Sequence, residues 1–240
     1  MAPFLTKLQT DAWRTSSARY NAARRLSRRE FFATISLALL SAMTVAIAFI
    51  QRVYAPPSSE ADNYFTALSA SLGVFLLTIS LVEWGARTGS IADALHQNAE
   101  KLNAMQRKIG IKIAAMAAGN SLSWDDTQAL SDEYEAIKAD CRHNHQPIDD
   151  EYFRAKQRTA AEFCDASGNP KFSRLEVLRV SILWHLSSVW YFAGLWFVVL
   201  GLLFLPIKFP SWWTKPTAIV SEIQQELPKF PHTKTRFNAS

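Results

Sequence analysis

Three stretches of this sequence, residues 31–50, 64–82 and 180–205, contain no Asp, Glu, Lys or Arg, whereas the segments between them are polar and charged. Each is about 20 residues or longer, enough to cross a hydrocarbon core of roughly 30 Å at 1.5 Å per residue. That segregation excludes a plain soluble globule. It leaves one long segment, residues 85–179, outside the membrane, which is little room for a soluble enzyme. The first stretch reads as a retained helix: a cleaved signal has an apolar region of about 7–15 residues near the N-terminus, and here roughly 30 polar residues come first. Cys141 and Cys164 give no disulfide framework and fit a reducing compartment.

Basic residues set the orientation. Lys7, Arg14, Arg19, Arg24, Arg25, Arg28 and Arg29 precede the first span, while the connection 51–63 has only Arg52, opposed by Glu60 and Asp62. The excess of cations places the N-terminus in the cytoplasm and the connection outside. Pro56 and Pro57 interrupt any continuous helix there, so the first two spans form a hairpin. A third span then sends the C-terminus outside, which fits poorly with the cations of the tail (Lys208, Lys215, Lys229, Lys234 and Arg236). The chain thus divides into a basic N-terminal helix (1–30), a two-span hairpin (31–84), a cytoplasmic helical region (85–179), a third span (180–207) and an extended or disordered tail (208–240). The expected class is an all-α membrane protein.

Within the basic arm, residues 11–30 predict a helix leading into the bilayer. Beside a first span the default role of Arg24, Arg25, Arg28 and Arg29 is to sit near anionic headgroups, each worth about 1 kcal/mol. The alternative is that they receive an anionic ligand or partner.

In the cytoplasmic region, Ser90 with Asp93 has the form of a capping box. Ile91, Leu95, Leu102, Met105, Ile109, Ile113 and Met116 then recur at helical spacing as a narrow apolar stripe. Ser123 with Asp126 opens a second helix bearing Leu130, Tyr134, Ile137 and Cys141. A break at 143–147 follows, and Asp149 caps a third helix bearing Tyr152, Phe153, Lys156, Ala160 and Phe163, closed by Gly168-Asn169-Pro170. Such stripes are buried either within one chain or against neighbouring copies; a stripe does not say which.

Cys141, His143 and His145 are of zinc-ligand type, but no CxxC or HxxxH spacing accompanies them, and a structural helix break is the better reading. No metal or cofactor is expected. GxxxxGK[ST], GxGxxG, HExxH and GxSxG are absent, and with only 8 glycines a phosphate-cradling loop is not expected. Nothing nominates a catalytic pair, so the chain reads as a non-enzyme, and no direct nucleic-acid binding is predicted.

A pore needs polar or small side chains on one face of a span, repeated around a ring of copies. Thr34, Ser41, Thr44 and Ala48 fall within about 80° of one another at 100° per residue, and Thr66, Ser69, Gly73 and Ser80 align similarly, with Glu83 at the cytoplasmic mouth. Leu37 and Leu76 would be the apolar gate. Helix packing uses the same small and hydroxylated residues, so the stripes alone do not separate a pore from a tightly packed bundle. In the third span Ser187, Gly194 and Gly201 offer a flat docking face, Trp184, Trp212 and Trp213 suit interfacial belts, and His185 lies near the cytoplasmic end.

The order of elements has a further meaning. A basic helix entering a tight two-span hairpin, a long amphipathic helix leaving it, Trp13-Arg14 with Ala22-Ala23-Arg24-Arg25-Leu26, and Asn144-His145-Gln146-Pro147-Ile148-Asp149 together resemble the SLATT family, the SMODS- and SLOG-associating two-transmembrane effectors of bacteria. The resemblance covers roughly residues 10–165. It implies a homo-oligomeric, pore-forming effector of an anti-phage or conflict system in the bacterial inner membrane. A sensor protein or cyclic-nucleotide-type signal from a neighbouring gene would license it, and depolarisation would arrest or kill the infected cell. In that family frame Asn144, His145 and Asp149 mark a regulatory turn. The third span departs from the minimal two-span pattern. The alternative function is a non-conducting membrane scaffold that recruits a cytoplasmic partner.

Overall fold

The computed structural model describes residues 1–204; the tail 208–240, with Trp212 and Trp213, lies outside the described residues. The all-α expectation holds: six helices and one 3-10 turn, with no strand among the described residues. They are α1 (Ala2–Tyr54), α2 (Glu60–Ala86), α3 (Thr88–Ala117), α4 (Trp124–Asp140), α5 (Pro147–Lys156) and α6 (Arg174–Phe204), with the turn at Ala161–Phe163.

The basic arm and first span are one unbroken helix. Pro3 in its first turn suits the start, since that position needs no intrahelical donor. Its 53 residues extend roughly 80 Å at 1.5 Å each. Ser58, with φ 62°, turns the chain after Pro56 and Pro57. Ser59 then caps α2 by accepting from the Asp62 amide, 3.1 Å away.

Helices α2 and α3 are separated only by Arg87, which occupies the left-handed conformation (φ 48°). They therefore run back along α1 almost as one rod. The outer half of α1 packs on α2 and its N-terminal half on α3, the most extensive helix contact in the molecule. Gly89 permits a close approach, because a Cβ there would meet the Glu30 carboxylate of α1. Helix α4 returns along α3, α5 lies on α1, and α6 runs parallel to α1. Phe192 stacks on Phe32, the Trp196 indole donates to Ser36 Oγ (3.1 Å), and Tyr64 Oη donates to the Leu202 carbonyl (2.8 Å).

Two cores result. The distal one joins Leu5, Leu8 and Ala12 of α1 to Leu102, Met105 and Ile109 of α3 and Leu130 and Tyr134 of α4. In water, burying each large apolar side chain stabilises by about 1.5–3 kcal/mol. The apolar stripe of α3 is thus covered within one chain, and by the arm that the sequence suggests is only an anchor. The second core joins Leu40 and Ile47 to Leu68, Leu72, Ile79 and Val199; between spans, close packing replaces the hydrophobic drive.

Local expectations fare unevenly. The capping box Ser123–Asp126 is present with both reciprocal bonds. The Ser90–Asp93 box is not. Helix α3 already begins at Thr88, and Ser90 Oγ donates back to the Arg87 carbonyl (3.1 Å) from inside the helix. At the third helix the N-cap is Gln146, with Asp149 three residues in as the reciprocal partner. That helix stops at Lys156, leaving Ala160 and Phe163 outside it.

Candidate functional site at the membrane junction

Where α1 leaves the distal bundle for the apolar spans, its face 14, 21, 25, 28 meets α5 and the start of α6. Asp149 is the centre. It is 0% exposed, and a carboxylate without water must find all its donors in the protein. Arg25 supplies a bidentate pair (Nε to Oδ1 2.9 Å, Nη2 to Oδ2 3.0 Å). The Trp184 indole donates to Oδ1 (3.0 Å) and the Gln146 amide to Oδ2 (3.0 Å). Asn21 donates to the Asp149 carbonyl (3.1 Å). One carboxylate therefore ties together α1, the head of α5 and the third apolar helix.

Aromatic packing extends the joint. Tyr152 stacks flat on Trp184, with ring centroids 4.2 Å apart. The Arg28 guanidinium lies 4.9 Å over the same indole, and its Nη1 is 2.6 Å from His185 Nδ1. About 100° round α1 from Arg28, Arg29 holds Glu83 (2.8 and 3.2 Å, both to Oε1), locking α1 to the last turn of α2. Glu83 is consequently an ion-paired residue within one chain. Of the four arginines singled out in the arm, Arg25, Arg28 and Arg29 have intramolecular partners and Arg24 is exposed.

Further from the spans, Arg14 makes a second bidentate pair, to Asp150 (both bonds 2.6 Å), and Arg154 approaches the same carboxylate (3.0 Å). Burial works to raise the Asp150 pKa, but Arg14, by hydrogen bond and charge, and Arg154 outweigh it and hold the carboxyl below its usual range. Asn144 is exposed and its Oδ1 accepts from the His145 amide (3.0 Å). His145 is half-buried beneath it, with no partner at Nδ1. Burial, above all, pushes its pKa down. An open cavity of about 560 Å³ lies here, lined by Arg14, Tyr134, Lys138, Asn144, His145 and Asp150 among others.

The hydroxyl stripes enclose no channel in a single chain. Thr34, Ser41, Thr66 and Ser80 are exposed on the helix surfaces. Thr34, Thr44 and Thr66 donate to carbonyls one turn back. Ser69 differs: its Oγ is buried without a partner. A Cβ added at Gly73 would meet nothing within 4 Å. Leu37 and Leu76 pack into the core between the spans. Cys141 donates to the carbonyls of His143 (3.3 Å) and Ala94 (3.8 Å). Among the described residues no three His, Cys, Asp or Glu side chains come together to hold a metal.

Sequence reasoning missed Arg14, Asn21 and Asp150 as parts of this region. A signal existed, since positions 14, 21 and 25 repeat at i, i+7, i+11 and place polar side chains on one face of α1. Their partners lie more than a hundred residues away, and no local pattern supplies that pairing.

Fold and site together define a membrane protein with three helices of crossing length, in which a buried Arg25–Asp149 pair fastens α1 to the polar helical bundle and a half-buried Arg29–Glu83 pair fastens α1 to α2. More particularly, the chain belongs to the SMODS and SLOG-associating 2TM effector domain family 5 (SLATT_5), whose sequence profile matches residues 1–210. The match extends through the third apolar helix, well past the segment that carries the resemblance by motif. Membership makes the chain a membrane effector of conflict systems. No curated protein and no solved structure matches it.

Proposed function

We propose that this protein is a homo-oligomeric effector of bacterial anti-phage defence. A partner sensor or a nucleotide-type signal gates it, and it opens a poorly selective path through the inner membrane. The N-terminus and helical bundle lie in the cytoplasm, as the distribution of basic residues favours. The observation that carries the reading is the fastening of α1 and α6, two of the three membrane-length helices, to the polar bundle through Asp149, in a chain of this effector family. A signal received by the bundle then has a mechanical route to the spans. Thr34, Ser41, Thr66 and Ser80, exposed in one chain, become lumen-facing in the oligomer, with Ser69, Thr44 and Gly73 behind them. No residue is assigned a catalytic role.

Recording membrane potential in cells that express the protein with its genetic partner, before and after the partner is triggered, tests this. Depolarisation with growth arrest is expected; intact potential and growth refute it. A specific observation favours the rival, a non-conducting scaffold: the threonine hydroxyls are satisfied by their own helix and Glu83 by Arg29. Purified protein in ion-loaded liposomes separates the two, because a scaffold leaves the trapped ions in place.

A further inference from the structure

Arg19 differs from its neighbours on α1. Arg14 and Arg25, on the same helix, each hold a carboxylate with two bonds. Arg19 is 4% exposed, yet among the described residues no carboxylate forms a salt bridge with it. Its Nη1 donates to Asn98 Oδ1, its Nη2 makes a long bond to the Lys138 carbonyl (3.4 Å), and its Nε is buried without a partner. A buried guanidinium lacking a countercharge is costly, and cations in that state are normally paired with an anion.

The position for that anion is open. Arg19 lines a cavity of about 320 Å³ together with Lys138, Arg142, His143, Asn144 and Glu135, among others. Three cations thus face one carboxylate, and Glu135 is already engaged by Lys138 (3.0 Å). Arg142 is exposed and makes no salt bridge among the described residues. The volume falls at the lower end of small-molecule sites, roughly 300–1,000 Å³. At 1.5 Å per residue, position 19 stands roughly 18 Å along α1 from Phe31, where the apolar span begins. A lipid headgroup does not reach so far.

We infer that this cavity is a binding site for a small soluble oxyanion of the phosphate class, held by Arg142 at its rim and by the charge of Arg19 at its base. Arginine suits that ligand because its planar fork matches phosphate oxygens.

The test uses the full chain in phosphatidylcholine nanodiscs, titrated with inorganic phosphate and with pyrophosphate against potassium chloride at matched ionic strength. Calorimetry and thermal unfolding are the readouts. Phosphate or pyrophosphate is expected to raise Tm beyond the chloride control. Arg142→Ala is expected to weaken the affinity about tenfold, the loss of one charge-assisted contact, and Arg19→Met to abolish binding. Arg107→Ala, which removes an equal charge elsewhere on the bundle, should leave the affinity unchanged. Should Arg19→Met fail to fold, the comparison of Arg142→Ala with Arg107→Ala decides. The inference falls if neither anion shifts Tm beyond chloride, if both alanine variants bind like the parent, or if both weaken alike. It falls equally if stabilisation comes only from phosphatidylglycerol discs or only from a polyglutamate peptide. Binding is read without conductance, so its failure leaves the pore reading standing.

Discussion

Asp149 and Arg25 concentrate more of the molecule's stability than any exposed pair can. Lys101–Asp140 and Lys108–Glu133 lie at the surface, where such pairs contribute about 0–1 kcal/mol. Asp149→Ala, by contrast, leaves Arg25 buried without a countercharge and the Trp184 indole without an acceptor. It is expected to cost about 3–5 kcal/mol. Arg25→Ala should cost a similar amount, and the double variant far less than the sum, because both remove one interaction. Chemical unfolding in detergent, followed by helicity, measures all three; additive losses would show that the two residues act independently.

His145 gives a pH signature of its own. Burial disfavours its charged form, Arg14 and Arg19 add to that, and Asp149 and Asp150 oppose it. The unfolded chain then binds a proton that the folded chain resists. Stability is therefore intact above about 6.5, the ordinary value, and declines as pH falls from there toward the depressed folded value. Asp150 acts lower. Its carboxyl is held below 3.8, so its contribution is complete above that pH and is lost only as pH falls through the depressed value. Between pH 7.5 and about 5.5 the His145→Gln variant should therefore show a flatter plot of Tm against pH than the parent; parallel plots would remove His145 as the source.

At the scale of elements, α4 depends on a purely local device. Ser123→Ala removes the cap on the Asp126 amide and should cost about 1 kcal/mol. Amide exchange is expected to accelerate first in the opening turn of α4, with α3 unaffected. That box was legible because Ser123 and Asp126 lie three residues apart and satisfy each other. The spans were legible for an equally local reason, their unbroken lack of charge. Ser90 with Asp93 has the same form and fails, because Arg87 in the left-handed conformation starts α3 three residues early, directly off the end of α2. The role of the arm was hidden for the opposite reason. Its basic residues look like headgroup anchors until Asp149, Asp150 and Glu83 arrive from distant sequence, and Leu5, Leu8 and Ala12 find their cover only in α3 and α4.

The described residues form a long antiparallel pair, α1 against α2 and α3, with α6 running beside α1. In the proposed topology this architecture sends the turn at Ser58 and the end of α6 to one side of the membrane and the helical bundle to the other. In a background lacking Cys141 and Cys164, Ser58→Cys should react with an impermeant maleimide on intact spheroplasts, and Ser131→Cys only after lysis. The reverse pattern would invert the proposed orientation; labelling of both on intact spheroplasts would remove the hairpin from the bilayer.

The unbroken course of α1 from Ala2 to Tyr54 couples two sets of teeth cut on one shaft. Arg14, Asn21 and Arg25 mesh with α5, and Ser36 and Leu40 mesh farther along. Adding or deleting a single residue between them would twist one set by about 100° against the other. Seven residues, close to two full turns, would restore the phase but displace the gearing by roughly 10 Å. Natural variants should therefore keep the length of this segment fixed even where its side chains diverge.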